Sequence, residues 1–180
     1  MNVEKPFFAR DTETIAKDLL GCVLCRKGMK GRIVETEAYL EDDPASHAYP
    51  KKTERNRLMY ETHGRVYIYL CYGIHHMLNF TTEKDGVGGV LIRSLEPLEG
   101  VNKMRQNRGV EEKKDLCSGP GKICEALEIS KEMNGTEVGE KLEIERETAE
   151  RVEASTRIGI NKSQNRELRY YIPYNSFVSR

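Results

Sequence analysis

The chain has 180 residues, of which 38% are hydrophobic and 32% are charged, and 29 basic residues balance 29 acidic ones. This apolar fraction can form a core, which excludes a disordered polar chain. No stretch approaches the roughly 18 uncharged apolar residues of a membrane-spanning helix. The first residues lack the pattern of a secretory signal, and five cysteines, an odd number, argue against a disulfide framework. We therefore expect a cytoplasmic protein without a membrane partner.

Charge is balanced in total but unevenly distributed along the chain. Residues 34–43 carry five acids and no base, and residues 137–150 carry six glutamates against two bases. Residues 51–65 and 103–122 each have a net charge of +3. Such blocks can form one basic face on a neutral protein, which attracts phosphate backbones. A solvated surface of interspersed charge is the alternative.

The local patterns predict a mixed order of helices and strands. A helix capped at Asp11 and stopped by Gly21 comes first, and a second helix is predicted to start at Asp43-Pro44. The predicted strands are 22–26 and 32–40 around a turn at 28–31, a hairpin over 66–80, 89–95 and 169–178. Helices are predicted over 100–108 and 122–127. Without repeats, linkers or regular βαβ alternation, we expect a single α+β domain over residues 1–180.

The strand over residues 32–40 places two acids beside an aromatic ring. With a period of two, Val34, Ala38 and Leu40 share one face, whereas Glu35, Glu37 and Tyr39 share the other. The second face is either a solvated sheet surface or the wall of a cleft in which one glutamate acts as a general base.

Neither the cysteines nor the histidines have a spacing typical of metal ligands. Cys22 and Cys25 have the C-x-x-C spacing without a matching pair, and His47 lacks a second histidine at helical spacing. The sequence therefore predicts no metal site. The loop over 116–122 is not a phosphate-binding Walker loop, because Leu116 replaces its first glycine. Its helix start could still hold a phosphate, or it is a plain glycine turn.

The predicted hairpin closes with a three-residue loop, Cys71-Tyr72-Gly73, in which Gly73 is left-handed. Leu70 is then expected to pair with Ile74. In this register Tyr67 and Tyr69 share a face with His75, Met77 and Asn79. Tyr72 is left at the tip, where it is either a wedge that enters a nucleic-acid stack or a ring packed on a neighbouring loop.

Taken together and in this order, these segments resemble the alkyladenine (3-methyladenine) DNA glycosylase family over nearly the whole chain. The matching segments are IAKDLLG at 15–21, RIVETEAYL at 32–40, Arg55-Asn56 with Met59, YIYLCYG at 67–73, VLIRSLEP at 90–97 and LCSGP at 116–120. The resemblance implies a monofunctional enzyme without cofactor or metal. An enzyme of this family is expected to excise alkylated or deaminated purines from double-stranded DNA by hydrolysis of the N-glycosidic bond. The resemblance also implies one α+β domain, with a curved antiparallel sheet, surrounding helices and a protruding hairpin. We expect a monomer in the cytoplasm, associated with the nucleoid if the source is a prokaryote.

The resemblance also implies roles for individual residues. Glu37 is the general base, Arg93 helps to hold the water, and Tyr72 fills the space of the flipped nucleotide. The base pocket comprises Tyr39, His47, Tyr69 and Asn79, and Asn79 screens against the exocyclic amine of guanine. The candidates for DNA backbone contacts are Ser118, Gly119, Lys122 and Arg55.

Two features depart from the family pattern or remain open. His75-His76 stands where family members often have aromatic residues, which changes the outer pocket. Glu35 shares a face with Glu37, and we expect it to pair with a base or to face solvent. The alternatives are a non-catalytic module that binds damaged DNA through Tyr72, or a formyltransferase-like enzyme, which rests on fold analogy alone.

Overall fold

Eight strands form one antiparallel sheet, not closed into a barrel, in the computed structural model, which describes residues 1–179. The strands are β1 (Val23–Arg26), β2 (Met29–Leu40), β3 (Val66–Cys71), β4 (His75–Thr82), β5 (Gly88–Glu99), β6 (Glu143–Glu145), β7 (Glu153–Ser155) and β8 (Arg169–Tyr171). Their order is β3-β4-β5-β2-β1-β6, β8 pairs with β2, and β7 pairs with β8. The α+β prediction is confirmed.

Four α-helices surround the sheet in the described part of the chain. They are α1 (Thr12–Asp18), α2 (Arg57–Glu61), α3 (Val101–Arg108) and α4 (Pro120–Ala126), and short 3₁₀ helices lie at Lys5–Ala9, Lys113–Asp115 and Lys131–Met133. The Asp11 side chain caps α1 by accepting from the Thr14 N–H at 2.8 Å, as predicted. None of the helices over residues 1–179 has the length and apolarity needed to cross a bilayer.

The two faces of the sheet have different surroundings, because side chains alternate along a strand. One face packs with α1, α3 and α4 in the main core, to which β3, β4 and β5 contribute Ile68, Leu78, Phe80, Val90 and Ile92. The neighbouring positions Tyr67, Tyr69, Asn79, Leu91 and Arg93 line a cavity on the opposite face. Met59 of α2 also lines this cavity and belongs to a smaller cluster of buried side chains. The alternation thus separates the core from the candidate site.

Strand β2 is irregular near its middle, where its pairing with β5 shifts between Ile33 and Thr36. Bulges of this kind bend a strand and redirect its side chains. As a result Ile33 lies in the main core, whereas Val34 is buried outside it, and the expected grouping of Val34 with Ala38 is wrong. Beyond the irregularity the alternation holds, and Glu37 and Tyr39 turn away from the core.

The hairpin forms, but with a register two residues away from the prediction. Cys71 pairs with His75, and Leu70 pairs with His76 rather than Ile74. The turn is therefore Tyr72-Gly73-Ile74, with Gly73 left-handed at φ +70°. A shift of two residues is even, so each side chain stays on its predicted face. Tyr67 and Tyr69 therefore still share a face with Asn79 and Met77.

Three local predictions are wrong in their bounds or type. No helix starts at Asp43-Pro44, since Asp43 Oδ1 accepts from the Ala45 N–H at 3.0 Å and forms a turn. Strand β8 ends at Tyr171, because Pro173 lacks an N–H and Tyr174 is left-handed at φ +61°. Strand β2 begins at Met29, inside the predicted turn.

Candidate active site

A cavity of about 260 Å³ lies on the sheet face that is turned away from the main core. Its walls include residues from β2, β3, β4 and β5, from the first position of α4 and from the loops before α2 and after β7. Six residues singled out from the sequence line it, namely Tyr39, His47, Tyr69, Tyr72, Asn79 and Arg93. Its volume is near the lower end of small-molecule pockets, roughly 300 Å³ and upward, which suits one flat base.

Three aromatic rings form one wall of the cavity. The ring centroids of His47 and Tyr69 are 4.1 Å apart, and Tyr67 lies 6.1 Å from each of them. His47 Nδ1 is 3.0 Å from the Tyr67 hydroxyl. Burial, and secondarily the positive charge of Arg55, lowers the pKa of His47 from 6.5 to about 4. At neutral pH the wall therefore carries no charge from His47.

The depressed pKa of His47 predicts a loss of stability in acid. Between about pH 6.5 and pH 4 the unfolded chain binds a proton at His47 that the folded chain excludes. The free energy of unfolding should therefore fall as the pH falls through this window. Urea unfolding across the window should show a weaker pH dependence for His47→Gln than for the wild type. His63→Gln, at a histidine outside the cavity, is the control, and an equal change in both variants would contradict the assignment.

Glu37 lies behind the cavity wall, fully buried, and each of its carboxylate oxygens has a hydrogen-bond donor. The Tyr39 hydroxyl donates to Oε2 at 2.7 Å, and the Ile158 N–H donates to Oε1 at 2.9 Å. Arg93 Nη1 is 3.3 Å from Oε1. Burial first, and then the charge of Glu37, raises the pKa of Tyr39, so that Tyr39 stays a donor. Tyr39, Arg93 and Ile158, which contact Glu37, all line the cavity.

Glu35 is also fully buried and pairs with basic side chains. Arg169 Nη1 donates to its Oε1 at 3.0 Å, and the Ser179 N–H donates to its Oε2 at 2.8 Å. Arg93 Nε is 3.4 Å from the same Oε1. Of the two environments expected for Glu35, the structure has the pairing with a base and not the exposed one.

Asn79 is held rigidly on the cavity wall. Its amide donates to the backbone oxygens of Tyr67 at 3.3 Å and Met77 at 3.2 Å. These bonds use both amide hydrogens. The amide oxygen is then the atom left for a molecule in the cavity.

Tyr72 is at the mouth of the cavity and is 86% exposed, so its ring is not packed on a neighbouring loop. Its φ of +51° is uncommon for a bulky residue. Such a conformation costs roughly 1–3 kcal/mol and is typical of functional sites. Ile74, in the same turn, is 72% exposed. The turn thus carries two apolar side chains in solvent.

The candidates for DNA contact lie around this mouth. Lys122 Nζ donates to Ser118 Oγ at 3.0 Å in the loop that starts α4. Pro120 of that loop lines the cavity, and His75 packs on the Gly121 backbone, which connects the loop to the hairpin. Gly119 has an extended backbone. Arg55 is close enough to His47 to affect its pKa. Pro120 and Tyr72 both line the cavity, so the loop and the hairpin meet there.

Over residues 1–179 no three His, Cys, Asp or Glu side chains are grouped as ligands of a metal ion would be. All five cysteines are free thiols. Burial raises the pKa of Cys117 and of Cys124 to about 12, which keeps both thiols protonated and unreactive.

Sequence reasoning missed the segment that closes the cavity on one side. Ile158, Gly159 and Ile160 line it, and the preceding Arg157 is fully buried against Asp43. Arg157 Cζ also lies 4.7 Å from the centroid of the Tyr39 ring. No local pattern marks these residues, because each partner is more than 110 positions away along the chain.

Comparison with known proteins gives consistent matches over the whole chain. The family model described as methylpurine-DNA glycosylase matches residues 6–176. Three relatives carry the name "Putative 3-methyladenine DNA glycosylase". The protein of Methanoculleus marisnigri is 41% identical over 191 residues, covering 100% of both chains. The protein of Rhizobium meliloti is 44% identical over 97% of this chain and 94% of its own. That of Chlorobium phaeobacteroides is 45% identical over 96% and 92%.

Proposed function

The chain belongs to the methylpurine-DNA glycosylase family, and we propose that it excises alkylated or deaminated purines from duplex DNA. The reaction is hydrolysis of the N-glycosidic bond, which leaves an abasic site. A base inside a duplex is out of reach of a buried carboxylate, so the damaged nucleotide must first rotate into the cavity.

The observation that carries this proposal is the environment of Glu37. A carboxylate behind an aromatic cavity, with Arg93 beside it, is suited to remove a proton from a water molecule as that water attacks the sugar carbon. Arg93 lines the cavity and can hold the water through its remaining N–H groups. A cationic alkylated purine is already a good leaving group, so one base and one positioned water suffice.

The walls of the cavity suit damaged purines. Stacking of a base on an aromatic side chain is worth roughly 1–3 kcal/mol, and Tyr39, His47 and Tyr69 offer such rings. Because His47 is uncharged at neutral pH, it does not repel a cationic base. Asn79 is assigned to crowd the exocyclic amine of guanine, since its bonds to two backbone oxygens prevent it from moving aside.

We further propose that the enzyme is monofunctional and acts as a monomer. A glycosylase that also cleaves the strand needs an amine nucleophile at the sugar. The described residues that line the cavity include no lysine. The cavity is built from strands of one chain's own sheet, with no second subunit needed to complete it.

The proposal is tested by incubating the protein with duplexes that each carry one lesion: 3-methyladenine, 7-methylguanine, hypoxanthine or ethenoadenine. We expect abasic sites that become strand breaks only after treatment with alkali. An undamaged duplex is the control. Tight binding without base release would favour a damage-binding module, and breaks without alkali would contradict the monofunctional assignment.

Tyr72→Ser is expected to weaken binding to a lesion duplex roughly tenfold. An inserted ring can return about 1–2 kcal/mol of the unstacking cost of a few kcal/mol, and each 1.4 kcal/mol is tenfold in affinity. Excision of hypoxanthine opposite thymine should fall more than excision of a mispaired hypoxanthine, because the stable pair costs more to open. Binding, single-turnover excision and a fluorescent base that reports extrusion are the measurements.

The chain offers a matched control for this variant. Tyr174 is 94% exposed and has a left-handed backbone at φ +61°, but it does not line the cavity. Tyr174→Ser should leave binding and excision unchanged. Equal losses in both duplexes, or unchanged extrusion, would contradict a wedge role for Tyr72.

A further inference from the structure

One guanidinium is shared by two buried carboxylates. Arg93 reaches Glu35 Oε1 through Nε at 3.4 Å and Glu37 Oε1 through Nη1 at 3.3 Å. Arg93 Nε is buried and has no hydrogen-bond partner with good geometry among the described residues. Its charge therefore acts on the two glutamates together and is not paired fully with either.

Glu35 is not placed to take part in chemistry itself. Its hydrogen-bond donors, Arg169 and the Ser179 N–H, do not line the cavity, whereas the donors to Glu37, Tyr39 and Ile158, do. A buried carboxylate is costly unless its charge has a partner. Because Glu35 is fully buried, solvation at the surface does not explain its place beside Arg93.

The carboxylates of Glu35 and Glu37 lie beside the guanidinium groups of Arg93 and Arg169, and these four charges sum to zero. The charged or titratable groups that face Glu37 are Arg93 from β5, Tyr39 from β2, Tyr69 from β3 and its cross-strand partner Arg169 from β8. Those that face Glu35 are Arg93 from β5 and Arg169 from β8. Without Glu35, Arg93 would act on Glu37 alone and would hold a proton away from it more strongly.

We propose that Glu35 is a positioning residue that shares Arg93 with Glu37 and so keeps Glu37 basic enough to accept a proton from the attacking water. Arg169 is the counter-charge of Glu35 and limits the effect of Glu35 on Glu37. The proposal rests on the excision reaction proposed above. The proposal predicts opposite shifts of the pH profile for removal of the Glu35 charge and for removal of the Arg169 charge. A role of Glu35 in folding alone does not predict opposite shifts.

In Glu35→Gln the positive charge near Glu37 is no longer offset. The acid limb of the excision rate against pH should move to lower pH by about one unit, the size of effect that a neighbouring charge has on a carboxyl group. The plateau rate should fall about threefold to tenfold, because a weaker base transfers the proton less well. Arg169→Gln removes the counter-charge, and its acid limb should move to higher pH.

The experiment measures single-turnover excision of hypoxanthine, whose charge does not change over the range, across pH for the full chain. Glu137→Gln is the matched control. Glu137 pairs with Arg65 and Lys5 away from the cavity, and its variant should keep the wild-type profile. Glu35→Asp retains the charge and should keep the wild-type midpoint. If Glu35→Gln does not fold, Glu35→Asp and Arg169→Gln supply the comparison.

The outcomes separate the two proposals. Opposite shifts for Glu35→Gln and Arg169→Gln support the role of Glu35. An active wild type whose variants lose rate without a shift, or shift in the same direction, overturns that role and leaves the excision reaction standing. A wild type that releases no base overturns the proposed function and the role of Glu35 with it.

Discussion

Glu37→Gln is expected to slow base excision by about 10²–10⁴-fold, the usual worth of a positioned general base. Glutamine has nearly the same size and can still accept from the Ile158 N–H, so the cavity should keep its shape. It cannot take a proton from water, so binding of a lesion duplex should stay near the wild-type level. Single-turnover excision and equilibrium binding on the same duplex are the measurements.

A matched control is available at the end of the same strand. Glu41 follows β2, is exposed and does not line the cavity, so Glu41→Gln should excise at the wild-type rate. A Glu37→Gln rate within about threefold of the wild type would contradict the assignment of the general base. A parallel loss of binding and excision would instead indicate that Glu37 supports the cavity.

Asp43→Asn is expected to lower the free energy of unfolding by about 3–5 kcal/mol, the cost of leaving one member of a buried ion pair alone. Asp43 and Arg157 bond to each other and are both fully buried. Arg157 Nε and Nη2 are buried without hydrogen-bond partners among the described residues. The positive charge of Arg157 is therefore balanced by the carboxylate of Asp43. Burial is the largest single effect and raises the pKa of Asp43, but the hydrogen bonds from Arg157 and the Ala45 N–H, together with the charge of Arg157, outweigh it and lower the pKa.

The neighbouring acid provides the comparison for this variant. Asp42 pairs with Arg166 at 3.2 Å, and its side chain is 77% exposed. Asp42→Asn should therefore cost at most about 1 kcal/mol. Replacing both members of the buried pair, as Asp43→Leu with Arg157→Met, should recover part of the stability, because no buried charge is left. Urea unfolding of the four proteins tests this, and equal losses at positions 42 and 43 would contradict it.

Asp43→Asn should also affect catalysis, because Arg157 connects the ion pair to the cavity. The guanidinium lies 4.7 Å from the centroid of the Tyr39 ring, and the next residue donates to Glu37. Excision by Asp43→Asn is expected to fall even where the protein remains folded. The Asp42→Asn control should show no such fall.

The sequence by itself was sufficient for the parts of the site that depend on local periodicity. Alternation along β2 placed Glu37 and Tyr39 on one face. Alternation along the two strands of the hairpin placed Tyr67 and Tyr69 on the same face as Asn79. These relations survived an error of two residues in the hairpin register, since an even shift keeps the parity of the pairs. The motifs that define the family are likewise contiguous segments, so a single chain displays them.

Only the tertiary structure decided which groups surround the two glutamates. Arg169 and Ser179 reach Glu35, Ile158 reaches Glu37, and Arg157 reaches Asp43, over separations of 114 to 144 residues. Whether Glu35 is exposed or buried depends on these contacts and not on its own strand. Alternation assigns a face to each residue, but which segments then cover that face is determined by packing between distant parts of the chain.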